Sequence, residues 1–156
     1  MAFSSILARF KALFGEANSD SFDVDAEIKR AYEKSLSIDL DPSTNAAVNT
    51  TKRHVFYAHR NITVIGAKYV PDGAAAKNAA NYATIALFSG SGTAAAATAL
   101  ATVSTTATNM VAGTPYALTI SDGDVDAGET VAASILKAAS GVAVPKGSLV
   151  IHYIER

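Results

Sequence analysis

The spacing of large apolar residues changes at about residue 52. Before it, these residues recur at intervals of three and four, which is typical of one face of a helix. From Lys52 onward they alternate with polar residues, which is typical of half-buried strands, and turn-forming residues interrupt the alternation at short intervals. We therefore predict a helical N-terminal arm over residues 1–36, an extended linker over 37–51 and a β domain over 52–156.

The arm contains two amphipathic stretches. One covers residues 2–14 and ends at Gly15, a residue that favours helix termination, and the other runs from about Asp23 to Leu36. A helix of about 13 residues is marginal alone in water, and each large apolar side chain left exposed forgoes on the order of 1.5–3 kcal/mol. We therefore predict that the arm binds a partner surface through its apolar residues, which are Phe3, Ile6, Leu7, Phe10, Leu13, Phe14, Val24, Ile28 and Tyr32.

Four surfaces could cover the first stretch: the β domain of the same chain, a second copy, a different protein or a membrane interface. The stretch has no acidic residue and carries Arg9 and Lys11, as interfacial helices often do. Two cations attract anionic lipid only weakly, so we favour a protein partner.

The β domain shows period-two alternation in seven segments. Glycine, often with Pro, Asn or Asp, lies between them and sets turn geometry. This pattern predicts an all-β sandwich or barrel. Segments 61–70 and 147–154 are partly apolar on both faces, so we expect them to be central strands or strands covered by a neighbouring subunit. The predicted strands are 53–59, 61–70, 82–88, 98–105, 115–121, 130–138 and 147–154.

Charge and composition exclude several classes of partner. The net charge is -1 and the pI is about 6.3, so the chain offers no broad electrostatic attraction for nucleic acid or anionic lipid. It has no cysteine, which excludes disulfides and thiolate chemistry. No run approaches the roughly 20 apolar residues of a membrane helix, and Arg9 and Lys11 interrupt any signal-peptide core. We predict neither a nucleic-acid nor a membrane partner.

Candidate chemistry is sparse. His54 and His59 are an odd number of positions apart, so a regular strand places them on opposite faces, and His152 is remote in sequence. The acidic segment 122–129 resembles the start of a calcium loop but has Ala133 where the bidentate glutamate belongs, so a tight turn is the better interpretation. No nucleophile, phosphate-loop or dinucleotide motif occurs. We predict no enzyme activity, no cofactor and no metal site.

Three stretches carry a family resemblance: NITVIGAKYVPDG (61–73), NYATIAL (81–87) and DAGETVAASILKAASGVAVPKGSLVIHY (126–153). In this order they resemble small virion proteins of tailed bacteriophages that decorate or cement the head. The resemblance covers the chain from Asn61 to the C-terminus and leaves out the arm.

The resemblance implies a β-sandwich or jelly roll of about seven to eight strands, commonly trimeric. It also implies a position on the outer capsid surface, where the protein binds across neighbouring major capsid subunits and holds them against internal DNA pressure. The alternative is a phage tail or fibre adhesin that binds host glycans through loops such as 71–81 and 89–97.

Overall fold

A computed structural model describes residues 32–43, 53–91 and 98–156. Within these ranges the regular structure is β, apart from a helical conformation at Tyr32. The chain divides into two compact units, Met1–Glu33 and Lys34–Arg156, and the described residues belong almost wholly to the second. The strands are β1 (Glu33–Leu40), β2 (Arg53–Tyr57), β3 (Ile62–Pro71), β4 (Ala83–Gly90), β5 (Thr98–Ser104), β6 (Tyr116–Ala117), β7 (Thr119–Ile120), β8 (Asp124–Val125), β9 (Thr130–Lys137) and β10 (Gly147–Glu155).

The strands form two antiparallel sheets. The first has the order β1-β10-β3-β6, with β8 also paired to β3, and the second has the order β2-β9-β4-β5-β7. The longest pairings join β3 to β10, from Ile62↔Glu155 to Pro71↔Gly147, and β4 to β9. Apart from the β4–β5 connection, each successive strand lies in the other sheet.

The two sheets pack face to face around one apolar core. Alternate residues of β4, such as Ile85 and Leu87, are fully buried, and Leu149 and Ile151 of β10 are buried in the same cluster. Tyr69 of β3 is also buried there. The intervening residues Ala86 and Phe88, with Ala132 of β9, form a smaller apolar cluster, which alternation places on the opposite face of the second sheet.

Three strands carry one extra residue relative to their partners. The register shifts leave Val55 without a counterpart in β9, Ile65 without one in β10 and Leu100 without one in β4. Bulges of this kind bend a strand and increase its twist.

All seven predicted strands are confirmed with small shifts of their ends, except that segment 115–121 is split. Tyr116–Ala117 pairs with β3 in the first sheet, and Thr119–Ile120 pairs with β5 in the second. The chain therefore changes sheet at the buried Leu118. Of the two alternatives for 61–70 and 147–154, central strands or strands covered by a neighbouring subunit, the structure shows the first, because β3 and β10 are the two inner strands of the first sheet.

The predicted boundaries of the arm and the linker are wrong within 33–40. These residues form β1 beside β10, so 33–36 are not helical and 37–40 are not a linker. Leu36 fits both the four-residue spacing of the predicted helix and a period-two series with Ile38 and Leu40. Sheet pairing decides between them, because β preference depends on cross-strand packing. Residues 1–31 of the arm and 44–51 of the linker lie outside the described residues.

Candidate functional site

The predicted partner-binding residues are not brought together by the described part of the chain. Tyr32 is the one that the structure describes, and it is 58% exposed. The others, Phe3, Ile6, Leu7, Phe10, Leu13, Phe14, Val24 and Ile28, lie outside the described residues. Their binding role stays a prediction.

The three histidines do not converge. His54 lies in β2 and His59 follows that strand, and both are exposed. His152 in β10 is partly buried opposite Gly66 of β3. Within 32–43, 53–91 and 98–156, no three His, Asp or Glu side chains are grouped closely enough to hold a metal ion.

Carboxylates of the acidic segment 122–129 bind the chain's own backbone and side chains. The Asp122 carboxylate accepts a hydrogen bond from the Asp124 N–H at 3.1 Å, and Glu129 accepts one from the Asp126 N–H at 3.2 Å. The Asp124 carboxylate accepts one from the Thr63 hydroxyl at 3.0 Å and forms an ion pair with Arg156 at 3.1 Å. This geometry is that of a turn stabilised by its own side chains.

A cleft of about 460 Å³ lies where the two sheets meet beside β1 and β2. It is lined by residues of both strands, by the segment that connects β2 to β3, and by the end of β10. Its apolar and aromatic lining residues are Leu36, Phe56, Tyr57, Ala58, Ile62 and Tyr153, and its polar ones are Lys34, His59, Arg60 and Glu155.

Aromatic rings form one part of this cleft. The rings of Phe56 and Tyr153 stack across the two sheets, with centroids 5.3 Å apart and planes at 22°. The Tyr57 ring meets His59 edge-on at 5.0 Å and is 52% exposed. The cleft therefore combines a stacked aromatic pair with an exposed ring.

In the part of the chain that the structure describes, the charged groups of the cleft are two cations and one carboxylate. Glu155 accepts a hydrogen bond from Lys34, and Arg60 lies 3.8 Å from its other carboxylate oxygen. The Lys34 hydrogen bond is the main cause that lowers the pKa of Glu155; burial opposes it, and the charges of Lys34 and Arg60 lower the pKa further. Arg60 remains 75% exposed.

The amino-acid sequence alone does not predict this cleft. The signal available was the run FYAHR at 56–60, where two aromatic residues are followed, after Ala58, by His59 and Arg60 at the end of a predicted strand. Nothing local indicates that Tyr153 and Glu155 lie beside that run, because β10 reaches it through pairing with β3 in the other sheet.

A second polar cluster joins the segment after β1 to the segment before β10. Lys137 donates hydrogen bonds to the Val142 carbonyl and, at 2.8 Å, to the Ser43 hydroxyl oxygen. Ser43 also accepts a hydrogen bond from the Val144 N–H at 3.1 Å. Burial lowers the pKa of Lys137. These bonds connect Ser43, the end of β9 and the segment before β10, so the role of the cluster is structural.

The geometry defines an all-β protein of two packed antiparallel sheets, with an aromatic and charged cleft at one edge. No known protein-family model matches the chain, and a comparison with curated proteins gives no match. Among the residues that the structure describes, no helix has the length and hydropathy needed to cross a bilayer.

A comparison with solved structures finds similarity to a chain of the "Structure of infectious bursal disease virus Gx strain". The identity is 10% and the TM-score is 0.38, with 79% of this chain and 32% of that chain covered. The protein thus spans about a third of the length of that chain. At this TM-score the likeness carries no argument about function.

Proposed function

We propose that the protein is a non-enzymatic structural component of a phage virion. It decorates and cements the capsid from the outer surface by binding across neighbouring major capsid subunits, and it does so as a homotrimer. The β domain supplies a rigid shape and contact area, and the N-terminal arm supplies an additional apolar anchor.

The strand order is the observation that carries the proposal. β1-β10-β3-β6 faces β2-β9-β4-β5, and the chain passes repeatedly from one sheet to the other. This order supports a jelly roll, an architecture that recurs in viral capsid and lectin domains.

The stretches that resemble head decoration proteins form the central strands of the β domain. The stretch 61–73 contains β3, 81–87 contains most of β4, and 126–153 contains β9 and most of β10. These four strands form the two longest strand pairings in the sandwich. The resemblance therefore concerns the residues that build the fold, which supports a shared architecture.

The role of the arm is tested by deleting residues 1–31, because the arm predicted from the sequence ends at residue 36, inside β1. Removal of residues 1–31 leaves β1 intact, whereas removal of 1–36 would cut into a strand of the first sheet. We expect the shortened chain to fold and to form the same oligomer by sedimentation equilibrium, and to occupy particles much less than the full chain. Equal occupancy of both chains would exclude the arm as an anchor.

The function itself is tested on particles. Virions that carry the chain should show it by electron microscopy on the outside of the head, and virions made without it should lose DNA at lower temperature or after milder osmotic shock. Purified protein added back should restore resistance. Particles of unchanged resistance would contradict the cementing role.

The second candidate function is that of a tail or fibre adhesin for host glycans. The exposed Tyr57 ring beside Arg60 favours it, because an aromatic face next to hydrogen-bond donors suits a sugar. In that case, virions without the chain would keep their thermal resistance but adsorb poorly to cells.

A further inference from the structure

The cleft lies beside the strands at which the described part of each sheet ends. β1 ends the strand order of the first sheet and β2 ends that of the second, so within the described ranges each pairs with a strand on one side only. The free side of an edge strand presents backbone N–H and C=O groups that can pair with another polypeptide. Lys34 and Leu36 of β1, and Phe56 and Tyr57 of β2, bring both edges into the cleft.

Among the described residues that line the cleft, the Lys and Arg side chains outnumber the carboxylates by one. Glu155 is the acidic residue of the lining and is shared between two cations. Lys34 holds it through a hydrogen bond, whereas Arg60 is 3.8 Å away and mostly exposed. The planar guanidinium of Arg60 is therefore available for a second carboxylate, with which arginine forms strong paired hydrogen bonds.

The apolar side of the cleft fits a side chain. Leu36, Ile62 and the stacked Phe56 and Tyr153 rings provide apolar surface, and Tyr57 is an exposed ring beside them. The volume of about 460 Å³ is in the usual range for binding pockets. A ligand that fits both the apolar and the cationic part of the cleft has an apolar group next to a carboxylate.

We propose that this cleft binds an extended acidic segment of a partner polypeptide. The segment runs along the edge beside β1 and β2, places an apolar side chain between Leu36 and the Phe56–Tyr153 pair, and places a neighbouring carboxylate on Arg60. A peptide is favoured over a sugar because two strand edges border the cleft. This inference rests on the proposed virion function, for which it identifies one contact to another protein.

The test uses the full chain and four blocked seven-residue peptides, TVTXDVT, in which X is phenylalanine, leucine, isoleucine or tyrosine. Binding is followed by backbone NMR. We expect at least one peptide to shift the amide signals of Lys34, Tyr57 and Arg60, and its counterpart with asparagine in place of aspartate to bind about tenfold more weakly, as the loss of a charged hydrogen bond predicts. Arg60→Glu should weaken binding by at least about tenfold on the same basis.

Lys68→Glu is the matched control, because it also replaces a positive side chain by a negative one, at an exposed position of β3 outside the cleft. It should leave binding unchanged, and thermal unfolding should show both variants folded. The inference is overturned if none of the four peptides shifts these signals at millimolar concentration, or if Arg60→Glu binds as well as the unaltered chain. Shifts produced by glucuronate and not by the peptides would make the cleft a sugar site instead. The peptide measurement uses no virion. A negative result would therefore exclude the peptide site but not the cementing function, which the experiment on particles tests separately.

Discussion

The Tyr69 hydroxyl donates a hydrogen bond to the carbonyl oxygen of Pro145 at 2.6 Å. Tyr69 is fully buried in the core, and Pro145 lies just before β10, so the bond connects the middle of the first sheet to the chain that enters its neighbouring strand. The ring also lies against Gly147, where an added Cβ would be 2.7 Å from the ring edge. The start of β10 is thus built around this one side chain.

Tyr69→Phe should destabilise the fold modestly. The change keeps the ring in the core and removes one buried hydrogen bond, which costs about 0.5–1.5 kcal/mol. The free energy of unfolding in urea measures it. Tyr82→Phe removes a hydroxyl from a partly exposed residue elsewhere and should cost less. Equal losses in the two variants would contradict a specific role for the Pro145 bond.

Alkaline pH should weaken the fold through the same residue. Burial, assisted by the charge of Asp72, raises the pKa of Tyr69 to about 12 from its usual 10.0. Since the folded pKa is the higher one, the unfolded chain loses this proton first, and the stabilisation present below pH 10 is lost as pH rises towards 12. Unfolding midpoints measured from pH 9 to 12 should fall less steeply in Tyr69→Phe than in the unaltered chain. Parallel slopes would show that Tyr69 does not contribute to the decline.

Gly147→Ala should be strongly destabilising. Its Cβ would lie 2.5 Å from the Val70 carbonyl oxygen as well as against the Tyr69 ring, so backbone and core must both shift. Overpacking of this kind costs about 1–3 kcal/mol. The matched control is Gly66→Ala in the paired strand, where the nearest atom to the added Cβ is 3.8 Å away, and it should change stability by less than about 1 kcal/mol. Thermal unfolding of both variants decides the comparison.

Ser43→Ala should loosen the contact between the segment after β1 and the segment before β10. It removes an acceptor used by Lys137 and by the Val144 N–H at a buried position, which costs about 1–3 kcal/mol. Ser148→Ala is the control, because the Ser148 hydroxyl makes an exposed bond of 3.3 Å to Asp39 and its loss should cost below about 0.5 kcal/mol. Hydrogen exchange at Val144 should accelerate in Ser43→Ala alone; unchanged protection there would contradict the expected loosening.

The strands of the β domain could be predicted because alternation is a local property. Residues such as Leu149 and Ile151 point to the core on the same face, and any strand that buries them must show period two in its sequence. The acidic segment contains a turn at 127–128, as the sequence predicts, but also β8, which its two residues are too few to reveal as a period.

Leu36 is a residue whose secondary structure the local pattern of apolar residues does not determine. Its spacing fits a helix with Tyr32 and a strand with Ile38, and pairing with β10 selects the strand. The cleft has the same origin: Glu155 meets Lys34 and Arg60, and Phe56 stacks on Tyr153, only after the two sheets have closed on each other.

The amino-acid sequence by itself therefore determined the positions of most strands, the turns between them and the apolar face of each of these strands, because these depend on neighbours within a few residues. The tertiary structure decided the order of strands in each sheet, the strand conformation of 33–40 and the composition of the cleft. These depend on pairings between residues far apart in the chain, whose free energy is gained only when both partners are in place.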